Sequence, residues 1–176
     1  VRQFSVVERM SSLFEITLLV VSENPDVDFE AAVFQAASFS MGGEGEGSPG
    51  LRGWTGICSE LQQLQVEEGG LSTYHLVVVP TLWLLTQRQN YRIYQHLSIP
   101  DISEKLLGEW GLKAVLQIDK GSYPRLEYKV QYGETDFAFL CRLWEEAGIA
   151  FTFPDDEEGK TVILGDKLQE GPPREG

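Results

Sequence analysis

Two histidines are the first residues to consider for chemistry, because imidazole is the side chain best suited to proton transfer near neutral pH. His75 lies in a run of alternating residue types, and His96 stands just before a segment with a helix-start pattern. Neither belongs to a Gly-x-Ser-x-Gly, a His-Glu-x-x-His or a dinucleotide-binding motif. A nucleophilic triad would need partners that no local motif supplies, so the sequence predicts no catalytic residue and no enzymatic activity.

Two groups of carboxylates are candidates for cation binding or acid–base chemistry. The run Asp155-Asp156-Glu157-Glu158 offers oxygen ligands but lacks the glycine and the ligand spacing of a calcium loop. Asp26, Asp28 and Glu30 alternate along a loop, and nothing in the pattern indicates the burial that would raise a carboxyl pKa. Both groups are interpreted as solvated surface, and no metal site and no cofactor are predicted.

The cysteines, Cys58 and Cys141, have no second cysteine or histidine at the spacing of a metal site. Free cysteines are among the residues most often buried. We therefore expect two buried thiols in a reducing compartment, while a disulfide between them stays open because the sequence does not fix their separation.

Composition and charge narrow the class of protein and of partner. The chain has 176 residues with 42% hydrophobic and 23% charged residues, which is the balance of a folded protein. It carries 27 acidic and 14 basic residues, for a formal charge of −13. That charge repels phosphate backbones and anionic lipid surfaces, so nucleic acid is not an expected partner. The longest apolar runs, such as residues 16–21, are too short for a bilayer span, so stable membrane anchoring is not expected.

The first half of the chain has the patterns of β-strands. Alternating or β-branched runs bounded by turn residues predict strands at residues 4–9, 13–21, 35–41, 54–66 and 71–80, of which the last two form a hairpin. Five glycines among residues 42–50 indicate a hairpin tip. A phosphate-binding loop is not favoured there, because no Lys-Ser or Lys-Thr follows and two glutamates lie among the glycines.

Near residue 98 the hydrophobic period changes to that of a helix. Ser98 is a suitable N-cap, and Pro100 and Asp101 suit the first turn of a helix that ends at Gly111. Thr135 is the predicted N-cap of a second helix, which ends at Gly148. Strands are predicted at residues 115–118 and 126–132, and a hairpin at residues 149–153 and 161–164.

These elements predict an α+β fold that is mainly β. Residues 1–97 are expected to form an antiparallel β-barrel, residues 98–168 a small α+β module with two helices, and residues 169–176 a loose tail. Trp110 falls on an apolar helical stripe and is expected in the core. Trp54 follows the glycine-rich segment and is a candidate interface anchor.

Three ordered segments carry specific motifs. Tyr74, Pro80 and Trp83 belong to a strand and the turn after it, and Arg92 and Gln95 form an Arg-x-x-Gln element that leads through Asp101 into a predicted helix. These motifs resemble the strand and turn that close the first barrel, and the Arg-x-x-Gln element, of the VgrG family of spike proteins. The most specific match is a Gln-Tyr-x-Glu-x-Asp stretch with the Phe-Leu-x-Arg-Leu and Gly-Ile that follow it. Its matching residues here are Gln131, Glu134, Asp136, Phe139, Leu140, Arg142 and Gly148.

The resemblance implies a structural role in a contractile injection machine. Members form a homotrimeric, phage-tail-like baseplate hub and spike that docks on a hexameric inner-tube ring, the Hcp ring of type VI secretion, and helps to deliver effectors. Members also carry an oligonucleotide-fold domain and a β needle tipped by a PAAR protein, and a second barrel that lets three copies present six-fold symmetry. The resemblance implies that the PAAR tip and effectors are bound through regions outside these residues. Assembly in the bacterial cytoplasm, followed by secretion or injection into a target cell, is implied as well.

Two residues depart from the family pattern, and two other functions stay open. Phe34 stands where a small residue, often glycine, is usual, and Trp144 where a smaller aliphatic residue is usual; a bulky residue in an unadjusted core costs roughly 1–3 kcal/mol. One alternative is a baseplate hub of a contractile phage tail or an extracellular injection particle. The other is a small cell-wall or polysaccharide hydrolase using Glu134 or Asp136, although both are expected to serve the helix start.

Overall fold

A computed structural model describes residues 1–42, 52–66 and 70–167. The glycine-rich hairpin tip predicted at residues 42–50 lies outside the described residues from residue 43 onward, and so does the predicted tail at residues 169–176. The chain divides into two compact units. Unit 1 comprises Val1–Arg9, Leu13–Pro80 and Asp155–Gly159, and unit 2 comprises Met10–Ser12, Thr81–Pro154 and the residues from Lys160 onward.

Unit 1 is built on one five-stranded antiparallel sheet. Its elements are β1 (Gln3–Val7), β2 (Glu15–Ser22), the one-turn helix α1 (Phe29–Ala32), β3 (Ala36–Met41), β4 (Arg52–Val66) and β5 (Ser72–Val79). The strand order is β1-β2-β5-β4-β3, and the predicted hairpin corresponds to the antiparallel pair β4 and β5.

The sheet of unit 1 is curled like a barrel wall. Phe4 of β1 and Phe39 of β3 lie on strands at opposite ends of the strand order, yet their ring centroids are 5.3 Å apart. Phe39 in turn stacks on Trp54 of β4 at 6.1 Å. The concave side is filled by residues that include Phe14, Ile16, Leu18, Tyr74 and Val78, all at most 5% exposed. The predicted mainly β, α+β fold class is confirmed.

The chain between α1 and β3 takes an unusual conformation at Phe34. This residue has a φ of 64°, in the left-handed region where a Cβ atom is unfavourable. Its N–H donates to the carbonyl of Cys58 at 2.7 Å, and the N–H of Cys58 donates to the carbonyl of Gln35 at 3.0 Å. These two bonds fix the turn against β4. Phe34, where the resemblance led us to expect a small residue such as glycine, therefore lies at a position where the backbone favours glycine.

Unit 2 combines two further sheets with two helices. Its elements are a 3-10 helix (Thr81–Thr86), β6 (Gln89–Leu97), α2 (Ile99–Glu109), β7 (Lys113–Gln117), a 3-10 helix (Lys120–Ser122), β8 (Leu126–Thr135), α3 (Asp136–Ala147), β9 (Ala150–Thr152) and β10 (Thr161–Gly165). β6 and β8 form a two-stranded antiparallel ribbon. β10 pairs with β9 antiparallel, as the predicted hairpin requires, and with β7 parallel.

The helix ends follow the local sequence signals. Ser98 caps α2 in a capping box with Asp101, and Gly111 follows the C-cap with a φ of 69°. Thr135 caps α3 by accepting from the N–H of Ala138 at 3.1 Å, and Gly148 ends it with a φ of 69°. The predicted caps and ends are confirmed.

Trp144, where the resemblance led us to expect a smaller aliphatic residue, is accommodated in the core of unit 2. Its side chain is 1% exposed and its ring centroid lies 5.1 Å from that of Phe151. The indole Nε1 donates to Ser103 Oγ at 2.8 Å, and that hydroxyl donates to the carbonyl of Ile99 at 2.8 Å. The core therefore satisfies the polar atom of the large side chain as well as burying its apolar surface.

The long middle stretches of the two compact units, Leu13–Pro80 and Thr81–Pro154, adjoin in sequence between Pro80 and Thr81. This differs from the expected boundary at residue 97, because β6 pairs with β8 of the second half. Compactness within one chain does not establish an independently folding domain, so the predicted domain boundaries stay a prediction. Within the described residues, none of the helices has the length and apolar character that crossing a bilayer would require.

Candidate assembly surface

Asp136, the first residue of α3, lies at the centre of a buried polar cluster. Its carboxylate is fully buried and accepts hydrogen bonds from Arg88 Nε at 2.6 Å, Trp110 Nε1 at 2.9 Å and Gln131 Nε2 at 2.8 Å. Burial by itself would raise the pKa of this carboxyl, but the bonds from Gln131, Trp110 and Arg88 outweigh burial and lower the pKa. Trp110 is only partly buried, so its predicted place in the apolar core is wrong.

Arginines join this cluster to the end of α2. Arg88 Nη2 also contacts the Glu109 carboxylate at 2.8 Å, and Arg92 Nη1 contacts both Glu109 oxygens at 2.8 and 2.7 Å. Burial raises the pKa of Glu109, and the bonds from Arg92 and Arg88 lower it by more. The family-motif residues Arg92, Gln131 and Asp136 are therefore brought together around the ribbon and both helices.

Arg142 ties the middle of α3 to β8. Its guanidinium binds Glu134 through two bonds of 2.5 and 3.2 Å, and Nη2 also donates to the carbonyl of Val130 at 3.1 Å. A bidentate pair of this kind has a defined orientation. The expectation that Glu134 and Asp136 serve the helix start is incomplete, because both carboxylates bind side chains from other parts of unit 2.

The remaining motif residues have separate structural places. In unit 1, the Tyr74 hydroxyl donates to the Asn24 carbonyl at 2.8 Å, and Pro80 is buried after β5. In unit 2, Trp83 is half-buried in the first 3-10 helix, Gln95 is exposed on β6, and Asp101 belongs to the capping box of α2. Phe139 and Leu140 are fully buried in α3, and Gly148 ends that helix in the left-handed conformation. The role of each of these residues stays a prediction.

Trp54, the candidate interface anchor, is 6% exposed within unit 1. Its Nε1 donates to Glu8 Oε2 at 3.1 Å, and the same carboxylate pairs with Arg52, whose guanidinium lies 4.7 Å from the indole centroid. Most of the indole of Trp54 is therefore buried within unit 1, and little of its surface is accessible to a partner protein. Its interface role stays a prediction.

The outer face of the β6–β8 ribbon carries a continuous apolar surface, which we call the tyrosine face. It consists of Tyr91, Ile93, Tyr128, Val130 and Tyr132, with exposures of 71%, 67%, 61%, 37% and 79%. The register aligns Tyr91 with Tyr132 and Ile93 with Val130, and the two aligned tyrosine rings meet edge to face at 5.2 Å. Contiguous exposed apolar residues of this kind mark interaction surfaces.

Sequence reasoning missed the tyrosine face, although a signal was present. Apolar residues alternate at Tyr91 and Ile93 and again at Tyr128, Val130 and Tyr132. The alternation indicates one apolar face on each strand. It does not reveal that the opposite face of the ribbon, with Tyr94 and Gln131, is the buried one, which leaves the more apolar face outside.

Groups with reactive or ligating potential are few in the described parts of the chain. No cluster of three or more histidine, cysteine, aspartate or glutamate residues there could hold a metal ion. Both cysteines are free thiols, as expected. Cys58 is buried, as expected, whereas Cys141 is only partly buried, so the expected burial is wrong for Cys141. His75 Nδ1 lies 3.7 Å from the Glu60 carboxylate, which is 59% exposed.

A family model for the phage tail baseplate hub (GPD) matches residues 7–176. The chain belongs to this baseplate hub family. Among curated proteins, the type VI secretion system spike protein VgrG4b of Pseudomonas aeruginosa is 36% identical over 169 residues, which cover 94% of this chain and 20% of the relative. The resemblance to VgrG proteins, and with it the structural hub and spike character of the family, is confirmed.

Solved structures share the same hub fold. The E. coli c3393 protein, a component of the type VI secretion system with structural similarity to the T4 tail proteins gp27 and gp5, has a TM-score of 0.79 at 26% identity, over 95% of this chain and 47% of that one. A chain of a Francisella PdpA-VgrG complex has a TM-score of 0.70 at 14% identity, over 94% of this chain and 28% of that one, and shows the fold alone. This hub-family chain spans about a fifth of the length of its curated VgrG relative.

Proposed function

We propose that this chain is a structural segment of the hub of a VgrG-like trimeric spike in a contractile injection machine. In this role it docks on an Hcp-like inner-tube ring and helps to deliver effectors, and its part is mechanical rather than enzymatic. It is assembled in the bacterial cytoplasm and then secreted or injected into a target cell. The observation that carries the proposal is the family match over nearly the whole chain.

The tyrosine face supports a role in assembly. A surface of five exposed apolar residues without a charged side chain is unusual in a chain with a net charge of −13. Tyrosine is enriched in protein interfaces, because it combines a large apolar area with a hydroxyl group that tolerates water. Burying this face against another protein surface would contribute through the hydrophobic effect.

The buried position of Asp136 argues against the hydrolase alternative. A catalytic carboxylate must reach its substrate, whereas this one is fully buried and engaged by Arg88, Trp110 and Gln131. Glu134 is engaged by Arg142 in a bidentate pair. Both carboxylates stabilise the fold where they are.

Sedimentation velocity tests the assembly role. The chain is measured alone and mixed with an Hcp-like ring protein, and a species heavier than either component is expected. Exchanging both aligned tyrosines, Tyr91→Ser with Tyr132→Ser, is expected to reduce that species, because the substitutions remove most of the apolar area at one end of the face. Leu64→Ser is the matched control, since Leu64 is 52% exposed and lies on β4 of unit 1. A chain that stays monomeric with and without the ring contradicts the proposal.

A second candidate function is a hub in a phage tail or an extracellular injection particle, because the family is described as a phage tail baseplate hub. A hub in a phage tail or in an extracellular particle would use the same fold and the same mechanical role. The 36% identity with a type VI spike protein favours the secretion machine. Binding to a phage tube protein, but not to an Hcp-like ring, would reverse this preference.

A further inference from the structure

Two polar atoms on the buried face of the β6–β8 ribbon lack a protein partner. The hydroxyl of Tyr94 and the Oε1 atom of Gln131 form no hydrogen bond with any of the described residues. Tyr94 is 5% exposed and Gln131 is 0% exposed, so bulk solvent does not supply the missing bonds. Buried polar groups of folded proteins are nearly always hydrogen-bonded, which means that each of these atoms calls for a partner.

The Gln131 amide has a defined orientation. Its Nε2 donates to Asp136 Oδ1 at 2.8 Å and to the Glu134 carbonyl at 3.1 Å. These two bonds use both hydrogens of the NH2 group, and the opposite orientation would place Oε1 against two acceptor oxygens. Gln131 Oε1 is therefore an acceptor that needs a donor.

The Tyr94 hydroxyl has the opposite need. Its ring stacks on Phe139 with the centroids 5.4 Å apart and the planes 17° from parallel, which fixes the direction of the hydroxyl. Burial raises the pKa of Tyr94, and the nearby Arg92 guanidinium lowers this pKa by less. A guanidinium only donates hydrogen bonds, so Arg92 cannot accept the hydroxyl proton. The Tyr94 hydroxyl is therefore a donor that needs an acceptor.

Two separate constraints place this donor beside this acceptor. The register of β6 and β8 makes Tyr94 and Gln131 diagonal neighbours on the same face of the ribbon, within reach of long side chains. On α3, Asp136 binds Gln131 and Phe139 stacks on Tyr94. Asp136 and Phe139 are three residues apart and therefore adjacent on the helix surface. The ribbon and the helix thus direct both side chains to one place.

We propose that a single buried water molecule binds at this place, accepting from the Tyr94 hydroxyl and donating to Gln131 Oε1. The two missing partners are of opposite kinds, and water supplies both, whereas a metal cation cannot accept and a carboxylate cannot donate. Buried waters in proteins make about two to four such bonds. The water extends the Asp136 cluster to Tyr94, on the side of the ribbon opposite the tyrosine face.

Thermal unfolding of Tyr94→Phe tests the site by the sign of the effect. If the water bridges the two side chains, loss of the hydroxyl is expected to lower Tm by about 2–4 °C. A hydroxyl without any partner would give an unchanged or higher Tm, because the substitution would remove an unsatisfied buried group, and that result would overturn the proposal. Tyr91→Phe is the matched control, since Tyr91 lies on the same strand, is 71% exposed and should leave Tm unchanged.

A double-mutant cycle with Gln131→Leu tests whether the two atoms share one water. In urea unfolding, Tyr94→Phe is expected to lower the folding equilibrium constant roughly three- to tenfold in the unchanged chain, and less than about twofold in Gln131→Leu, where the bridge is already absent. Equal effects in the two backgrounds would overturn the shared site.

NMR on the unchanged chain makes the test independent of any substitution. With selectively labelled tyrosine, the hydroxyl proton of Tyr94 should exchange slowly and show a rotating-frame Overhauser contact with water. A crystal structure that resolves ordered solvent should show one oxygen within hydrogen-bond distance of both atoms. A hydroxyl proton without a water contact, or a direct bond between Tyr94 and Gln131, would overturn the proposal.

Discussion

Exchanging Asp136 for asparagine removes the charge at the centre of the buried cluster and leaves its shape almost unchanged. The carboxylate has two roles, because Oδ2 accepts from Arg88 and Trp110 while Oδ1 accepts from Gln131. Asparagine supplies one acceptor oxygen and one NH2 group. If the oxygen faces Arg88 and Trp110, the NH2 group faces the Gln131 amide nitrogen, which is also a donor.

Reorientation of the Gln131 amide could relieve part of this donor–donor conflict. The Oε1 atom of Gln131 is buried without a hydrogen-bond partner among the described residues, so turning the amide over would let it accept from the new NH2 group. This reorientation would break the hydrogen bond that Gln131 Nε2 donates to the Glu134 carbonyl at 3.1 Å. One buried bond is therefore lost in either arrangement, and the two bonds at Oδ2 lose their charge assistance.

These losses set the magnitude. A hydrogen bond to a charged group contributes about 1.5–3 kcal/mol, and a neutral one about 0.5–1.5 kcal/mol. Arg88 is not stranded, since it keeps Glu109 at 2.8 Å and is 34% exposed. The expected loss is therefore about 2–3 kcal/mol, below the roughly 3–5 kcal/mol of an uncompensated buried charge. For a chain of this size that corresponds to a fall in Tm of about 5–10 °C.

Thermal and urea unfolding, monitored by circular dichroism and tryptophan fluorescence, measures this loss. The control is Glu145→Gln, which makes the same change of charge at an exposed position of α3 and is expected to alter stability by no more than about 0.5 kcal/mol. The pKa of Asp136 is lowered in the folded state, so its contribution is present above the unfolded pKa of about 3.9 and is lost as the pH falls through the folded value. The difference in the free energy of unfolding between the unchanged chain and Asp136→Asn should therefore narrow below about pH 4. Equal stabilities at pH 7, or a gap that does not change with pH, would refute this account of the cluster.

Three further substitutions or reactions test other features. Phe34→Gly is expected to raise the free energy of unfolding by about 0.5–1 kcal/mol, because relief of the φ of 64° exceeds the entropy cost of glycine, and Phe34→Ala, which keeps a Cβ, should show no gain in urea unfolding. Gly56→Ala is expected to cost about 3 kcal/mol or more by the same assay, since its Cβ would lie 2.0 Å from the Val79 carbonyl oxygen, whereas Gly108→Ala, at an open helical position, should not destabilise. Alkylation of Cys141 at pH 8 should be about a hundredfold slower than that of a free thiol and should accelerate up to about pH 11, and a rate equal to that of glutathione would contradict the raised pKa.

Local sequence signals predicted the features that depend on neighbouring residues. Ser98, Thr135 and Gly148 act at helix ends because their side chains or backbone conformations satisfy groups a few residues away. The hairpin of β4 and β5 follows from alternation on both sides of a turn. The three ordered motifs were specific enough to predict the family and its mainly β fold.

Non-local pairing was beyond those signals. The ribbon of β6 and β8 joins segments on either side of α2 and β7, so its partners depend on where the helices pack. The parallel pairing of β7 with β10 is similar, because a parallel neighbour is joined through a long connection rather than a turn.

The sequence by itself determined the helix caps, the membership in the hub family and most of the strands, since each rests on short-range periodicity or on an ordered motif. Strand β6 was not among the predicted strands. Only the tertiary structure decided that Asp136 is buried among Arg88, Trp110 and Gln131, and that Tyr91 and Tyr132 face outward. The physical reason is that the environment of a side chain is set by elements distant in the chain. The local sequence pattern of a carboxylate at a helix start is the same whether its partner in the folded protein is solvent or an arginine.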